Sequence, residues 1–176
     1  SIRKEDKCYL VEGYTDVISL HQKGIYNVVA SSGTSLTSDQ IKLIKRYTNN
    51  ITILFDGDDA GIKASIRGID MILENDTNVR VILFPNGEDP DSYSKKVNSS
   101  LFKDYLINNE IDFVTFKIDL LKKISPDVIL TQELCYVCAV EYGAVCEITL
   151  DILDYQPKIV SLKPAGIQDI LNNILW

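Results

Sequence analysis

Basic charge is what this 176-residue chain has least of: 18 Lys and Arg stand against 25 Asp and Glu, a net charge of −7 with the single His neutral. Domains that hold nucleic acid by bulk charge carry a strong basic excess. A grip of that kind is therefore excluded, and any phosphate chemistry here calls for metal ions to offset the carboxylates. One His also excludes a His-built metal site or a catalytic triad. No apolar run reaches the ~18 residues of a membrane span, and Ser1 opens no charged-then-apolar leader. A membrane protein is excluded on this reading, and a cytoplasmic location is expected. Four Cys do not make a disulfide framework at this length, which points to a reducing compartment. Cys135 and Cys138 form a C-x-x-C, but with Cys146 they still lack a fourth zinc ligand, so they read as core or incidental cysteines. There is no internal repeat and no low-complexity tract.

What the chain does have is 45% apolar content, ample for a core, arranged in its first hundred residues as short apolar runs alternating with stretches of helical period. Strands are expected at 8–12 (CYLVE), 27–30 (NVVA), 51–56 (ITILFD) and 79–84 (VRVILF). A short helix is expected over 15–23, with Gly24 as its left-handed cap. The next begins at Thr37, with Gln40 three positions on as a capping box, and carries Ile41, Ile44 and Tyr47 on one face. A third runs from beyond Gly57 to Glu74, with Ile62, Ile66, Ile69 and Leu73 in one stripe. Helical crossovers between strands imply a mostly parallel sheet in an α/β fold. Residues 100–123 read as helix without a strand, with Leu101, Tyr105, Phe113, Phe116 and Leu120 as its apolar positions. Beyond Ile124, PDVILTQ and PKIVSL read as new strands and AGIQDILNNILW as a closing helix. Three segments are thus expected: 1–98, a helical stretch 99–123, and a short α/β tail 124–176. Charge does not mark the last boundary, since residues 1–120 carry −4 and residues 121–176 carry −3.

In a parallel sheet, ligands bind beyond the carboxyl ends of the strands, and that is where the acidic residues collect. Glu12 closes the first strand, Asp56 and Asp58 close the third, and Asp89 and Asp91 follow the fourth. A lone D-x-D in a loop is most often a solvated turn. Five carboxylates on three adjacent strand ends repel one another unless cations are shared, and hard divalent ions with oxygen ligands, Mg²⁺ or Mn²⁺, suit such a set. Lys42, Lys45 and Arg46, with Lys63 and Arg67 on the following helix, can face a nucleic-acid backbone or form an ordinary solvated face. SSGTS at 31–35 is either a phosphate-binding turn or a plain one.

Taken in order, LVEGYTDVISLHQKGIYNVVASSGTSLTSDQIKLI, NITILFDGDDAGIKAS and LFPNGEDPDSY resemble the Toprim domain of bacterial DNA primase of the DnaG type, over roughly residues 7–120. The resemblance implies a metal-dependent nucleotidyltransferase that makes RNA primers. Its partners would be a single-stranded DNA template, ribonucleotides and the RNA primer, with a replicative helicase engaged through other parts of the full protein. It implies that Glu12 is a general acid/base or a metal ligand, that Asp56 and Asp58 are the pair holding catalytic Mg²⁺, and that Asp89 and Asp91 are the second acidic pair. Asp16 takes a supporting role. In such chemistry one ion activates the attacking 3′-hydroxyl and a second, about 4 Å away, steadies the leaving pyrophosphate. Asp59 departs from the family pattern and adds negative charge beside the metals, while Lys63 stands as a supporting residue. The family's zinc-binding and basic template-gripping regions precede such a segment, so the chain alone is expected to be inactive. A Toprim nuclease using the same carboxylates is the alternative.

Residues 124–176 resemble something else. PDVILTQ, CxVCAV and VSLKP before a helix are similar to cobalamin-type periplasmic binding proteins of ABC importers. An unrelated segment joined to the primase-like part near Leu121 to Ile124 is the expectation they raise, with corrinoid or small-ligand binding as the rival function it carries; a divergent primase whose tail only looks like a binding protein is the alternative.

Overall fold

The computed structural model describes residues 1–32, 36–56, 66, 68–85, 87–132 and 153–162. The chain forms two compact units, Ser1–Phe116 and Lys117–Trp176. The elements of the first are helix α1 (Ile2–Glu5), strand β1 (Cys8–Val11), α2 (Tyr14–Gln22), β2 (Val28–Ala30), α3 (Ser38–Lys45), β3 (Asn50–Phe55), a helical stretch α4 (68–73), β4 (Asn78–Leu83), α5 (Pro90–Lys96), α6 (Ser99–Asn108), β5 (Ile111–Asp112) and the start of α7 (Phe113–Ile124). The sheet order is β2-β1-β3-β4-β5. The first four strands are parallel, with Tyr9 beside Val28, Leu10 beside Ile53 and Phe55 beside Leu83. β5 lies antiparallel against β4, pairing Ile111 with Val81.

Both faces of this sheet are covered, which is why its central strands read as unbroken apolar runs. Alternate residues go to opposite sides. Cys8, Leu10, Ile51, Ile53, Phe55, Val79 and Val81 pack on one face with Ile41 and Ile44 of α3, Ile69 and Ile72 of α4, and Phe116 of α7. Tyr9, Val11, Leu54, Ile82 and Phe84 turn to the other, against Leu20 of α2 and Phe102 and Leu106 of α6.

Several expectations are corrected in detail. The stretch expected to be helix without a strand contains β5; Phe116 is buried as expected, but in α6 the buried positions are Phe102 and Leu106, one residue out of phase with the expected Leu101 and Tyr105, and Leu101 is exposed. Tyr47 lies beyond the end of α3 and is exposed, with the Arg3 guanidinium 5.8 Å from its ring centre. Ile62 and the expected closing helix of the tail lie outside the described residues. In the second unit, β6 (Val128–Gln132) and β7 (Lys158–Leu162) pair in parallel, Val128 beside Lys158, where the two tail strands were expected. Among the described residues no helix is long and apolar enough to cross a membrane.

Candidate metal centre

Parallel pairing places the carboxyl ends of β1, β3 and β4 along one edge of the sheet. Glu12 follows β1 directly, exposed, and its carbonyl accepts the Ser32 N–H at 3.0 Å. Continuing the β1–β3 register sets Glu12 level with the end of β3, where half-buried Asp56 follows Phe55. Asp58, Asp59, Lys63, Arg67, the last three residues of SSGTS (33–35) and Cys135, Cys138 and Cys146 lie outside the described residues.

The other acidic residues come together through α2 and α5. Gly13 caps α2, and its N–H donates to Asp16 Oδ2 at 3.0 Å. A β-carbon at Gly13 would lie 3.2 Å from that same oxygen, so glycine allows the close approach. Asp16 is only 8% exposed. Burial raises its pKa, and the charges of Asp89 and Asp91 push the same way, against N–H donors from Gly13 and Asp91. The backbone N–H of Asp91 thus ties the loop after β4 to the helix after β1.

Asp89 is the N-cap of α5. Its Oδ1 accepts the Ser92 N–H at 2.6 Å, and its own N–H donates to Ser92 Oγ at 3.1 Å. Ser92 Oγ also donates to Glu88 Oε2 at 2.6 Å, and Lys96 pairs with Glu88. Lys96 and Ser92 together hold the Glu88 carboxyl below its ordinary range. Asp91 has both oxygens engaged: Ser19 Oγ donates to Oδ1, and Lys95 Nζ lies 2.6 Å from Oδ2. Lys95, then Ser19, keep the Asp91 carboxyl below its usual pKa.

Ser19, Glu88, Ser92 and Lys95 were not singled out from the sequence. Ser19 stands three residues after Asp16, on the same face of α2, and Lys95 follows Asp91 by one helical turn, so both were within reach of helical spacing. The basic residues of α3 are spent locally, Lys42 on Asp39 at 3.4 Å and Lys45 on the Asn75 carbonyl. His21 packs edge-on against Tyr26, its ring 5.3 Å away. Among the described residues, no group of three or more His, Cys, Asp or Glu stands in an arrangement that would hold an ion as it is. The donor set expected from the sequence is nonetheless all carboxylate oxygen, which fits a hard divalent cation rather than a soft one.

A family model described as Toprim-like matches residues 9–94, the stretch that supplies the four parallel strands of this sheet. The sequence relatives are DNA primases. The chain is 44% identical to the DNA primase of Clostridium acetobutylicum over 114 residues, 65% of this chain and 19% of that protein. It is similar to the DnaG primase catalytic domain solved bound to single-stranded DNA, with 34% identity and a TM-score of 0.61 over 68% of this chain and 38% of that one. The E. coli primase catalytic core, 29% identical with a TM-score of 0.61, covers 87% of this chain and 47% of its own, so that likeness extends past the first unit. The chain is similar to a segment of these DnaG-type primase catalytic cores and spans about a fifth of the length of the curated relatives it matches. The likeness of residues 124–176 to cobalamin-type binding proteins gains no support from these relatives. A parallel strand pair is common to many α/β proteins, and short apolar strands separated by helices look alike across them.

Proposed function

We propose that the chain is the metal-binding part of a bacterial DNA primase, a nucleotidyltransferase that makes RNA primers on a single-stranded DNA template from ribonucleotides. The observation that carries this reading is the parallel register that sets the strand ends bearing Glu12 and Asp56 side by side, with the loop of Asp89 and Asp91 tied to the helix after β1 by the Ser19–Asp91 bond. Glu12, Asp56, Asp58, Asp89 and Asp91 would hold Mg²⁺ or Mn²⁺. When bound, the metal would supply Lewis-acid activation of the primer 3′-hydroxyl and charge neutralisation at the departing pyrophosphate. The protein's own part is to set the carboxylates. Gly13 lets the backbone close on Asp16, Asp16 holds the Asp91 backbone, and the Asp89 cap fixes the start of α5. Glu12, exposed and unconstrained by packing, is free to act either as ligand or as proton acceptor. Asp59 and Lys63 stand near the Asp56–Asp58 pair in sequence and would modulate its charge. Template grip and the helicase contact would fall to other regions of a full primase. Titration calorimetry with Mn²⁺ tests the reading: Asp56→Asn and Asp58→Asn should each weaken binding by about tenfold or more. Unchanged affinity in both overturns it. Cleavage of single-stranded DNA by this chain with Mn²⁺ and no nucleotides would favour a nuclease instead.

A further inference from the structure

Asp91 is held by two partners of different kinds. Ser19 lies on α2, 72 residues away in sequence and 5% exposed, and donates its hydroxyl to Oδ1 from a helix that packs on α5. Its bond is neutral: it fixes the direction of the carboxylate and leaves its charge in place. Lys95 sits one turn along α5 with its side chain 69% exposed, and its ammonium lies 2.6 Å from Oδ2. That ammonium acts on Asp89 as well. A cation binding Oδ2 would compete with that ammonium, whereas the Ser19 hydroxyl holds the other oxygen without adding charge.

Resting on the metal-binding reading above, we propose that Ser19 is a positioning residue that aims Asp91 at a divalent cation, and that Lys95 is a resident counter-charge which that cation displaces. The two partners of one carboxylate then act in opposite directions. Removing the hydroxyl lets Asp91 rotate, so metal binding weakens. Removing the ammonium takes away a competitor, so binding strengthens. A purely structural role for both would move stability and leave metal affinity alone.

The experiment is Mn²⁺ titration calorimetry on the full chain, with Ser19→Ala, Ser19→Thr, Lys95→Met and Asp58→Asn. Ser19→Ala should weaken binding by about tenfold, the usual scale for losing a group that orients a ligand, and Ser19→Thr should restore part of it. Lys95→Met should tighten binding by about two- to fivefold, the scale of an exposed ion pair. That gain should shrink as NaCl is raised, because exposed charges are screened, while the loss in Ser19→Ala persists. Lys95 is exposed, so its variant keeps the test decisive even where Ser19→Ala lowers stability. Unchanged or weaker binding in Lys95→Met overturns the inference, as does wild-type affinity in a folded Ser19→Ala. Where Asp58→Asn abolishes binding and these variants behave as wild type, this inference alone fails. Where the wild type binds no Mn²⁺, or Asp58→Asn binds as well as wild type, the metal-site reading fails and this inference with it.

Discussion

Glu110, immediately before β5, links β3, β4 and the residue that precedes β1 through one carboxylate. Its side chain is 8% exposed, with Lys7 Nζ at 2.8 and 3.0 Å, Thr52 Oγ1 at 2.5 Å and Arg80 at 3.5 Å. Burial pushes its pKa up, but the Lys7 and Thr52 hydrogen bonds, with the charges of Lys7 and Arg80, outweigh that and hold it below its ordinary value. A carboxyl whose pKa is lower folded than unfolded stabilises the fold above the unfolded value, and that contribution is lost as pH falls through the folded one. Glu110→Gln should therefore cost about 1–3 kcal/mol at pH 7. The gap from wild type should narrow below pH 4.5, where Glu110 begins to take up a proton in the unfolded chain. Urea melts from pH 7 to pH 3 measure both. Cys8 belongs to the same scale. Fully buried, its thiol is pushed up to about 12 by burial, and the thiolate is the reactive form. Iodoacetamide at pH 8 should leave Cys8 unmodified in the native protein and label it in urea, as read by peptide mass mapping.

At the scale of elements, α3 begins with a reciprocal cap: Thr37 Oγ1 accepts the Gln40 N–H at 3.3 Å, and Gln40 Oε1 accepts the Thr37 N–H at 3.0 Å. Thr37→Ala should lower stability by about 1 kcal/mol and Thr37→Ser by much less, measured by thermal unfolding. This cap was legible because it depends on residues three apart, as was the left-handed Gly24, whose φ is 78°. The four parallel strands were legible because burial on both faces leaves an apolar run that nothing else explains. What escaped depends on partners distant in sequence. β5 is two residues long, and its extended form comes from pairing with β4 rather than from its own composition. The phase of α6 turns on whether Leu101 or Phe102 faces the sheet, and both are apolar. At the acidic edge, GEDPD read as a loop of ligands, yet Asp89 followed by Pro90 is also an N-cap followed by a proline at the first helical position. Helix α5 was therefore present in the sequence as a second meaning of the same residues. The Ser19–Asp91 bond was not, because no local pattern links residues 72 apart.

For the molecule as a whole, the question is what the first unit requires of the second. Both apolar layers of the five-stranded sheet draw their members from residues 2–116, and a sheet covered on both faces within ~120 residues meets the size of an independently folding domain. Phe116 is part of that core and lies inside α7, so a cut at residue 116 would truncate the helix that places it. A chain ending after Ile124 keeps α7 whole, and should unfold in urea in one cooperative transition with the circular dichroism of an α/β protein. All the proposed ligands lie in the retained part, and sites far apart without shared partners act nearly independently. Its Mn²⁺ affinity should then stay within about twofold of the full chain's, since independent sites add to within ~0.5 kcal/mol. Calorimetry on the two chains side by side measures this. A shortened chain that folds but loses the metal would make residues 125–176 part of the site. That result would accord with a likeness to the E. coli primase core that extends past the first unit. A chain that fails to fold would instead show that the sheet needs the second unit for its stability.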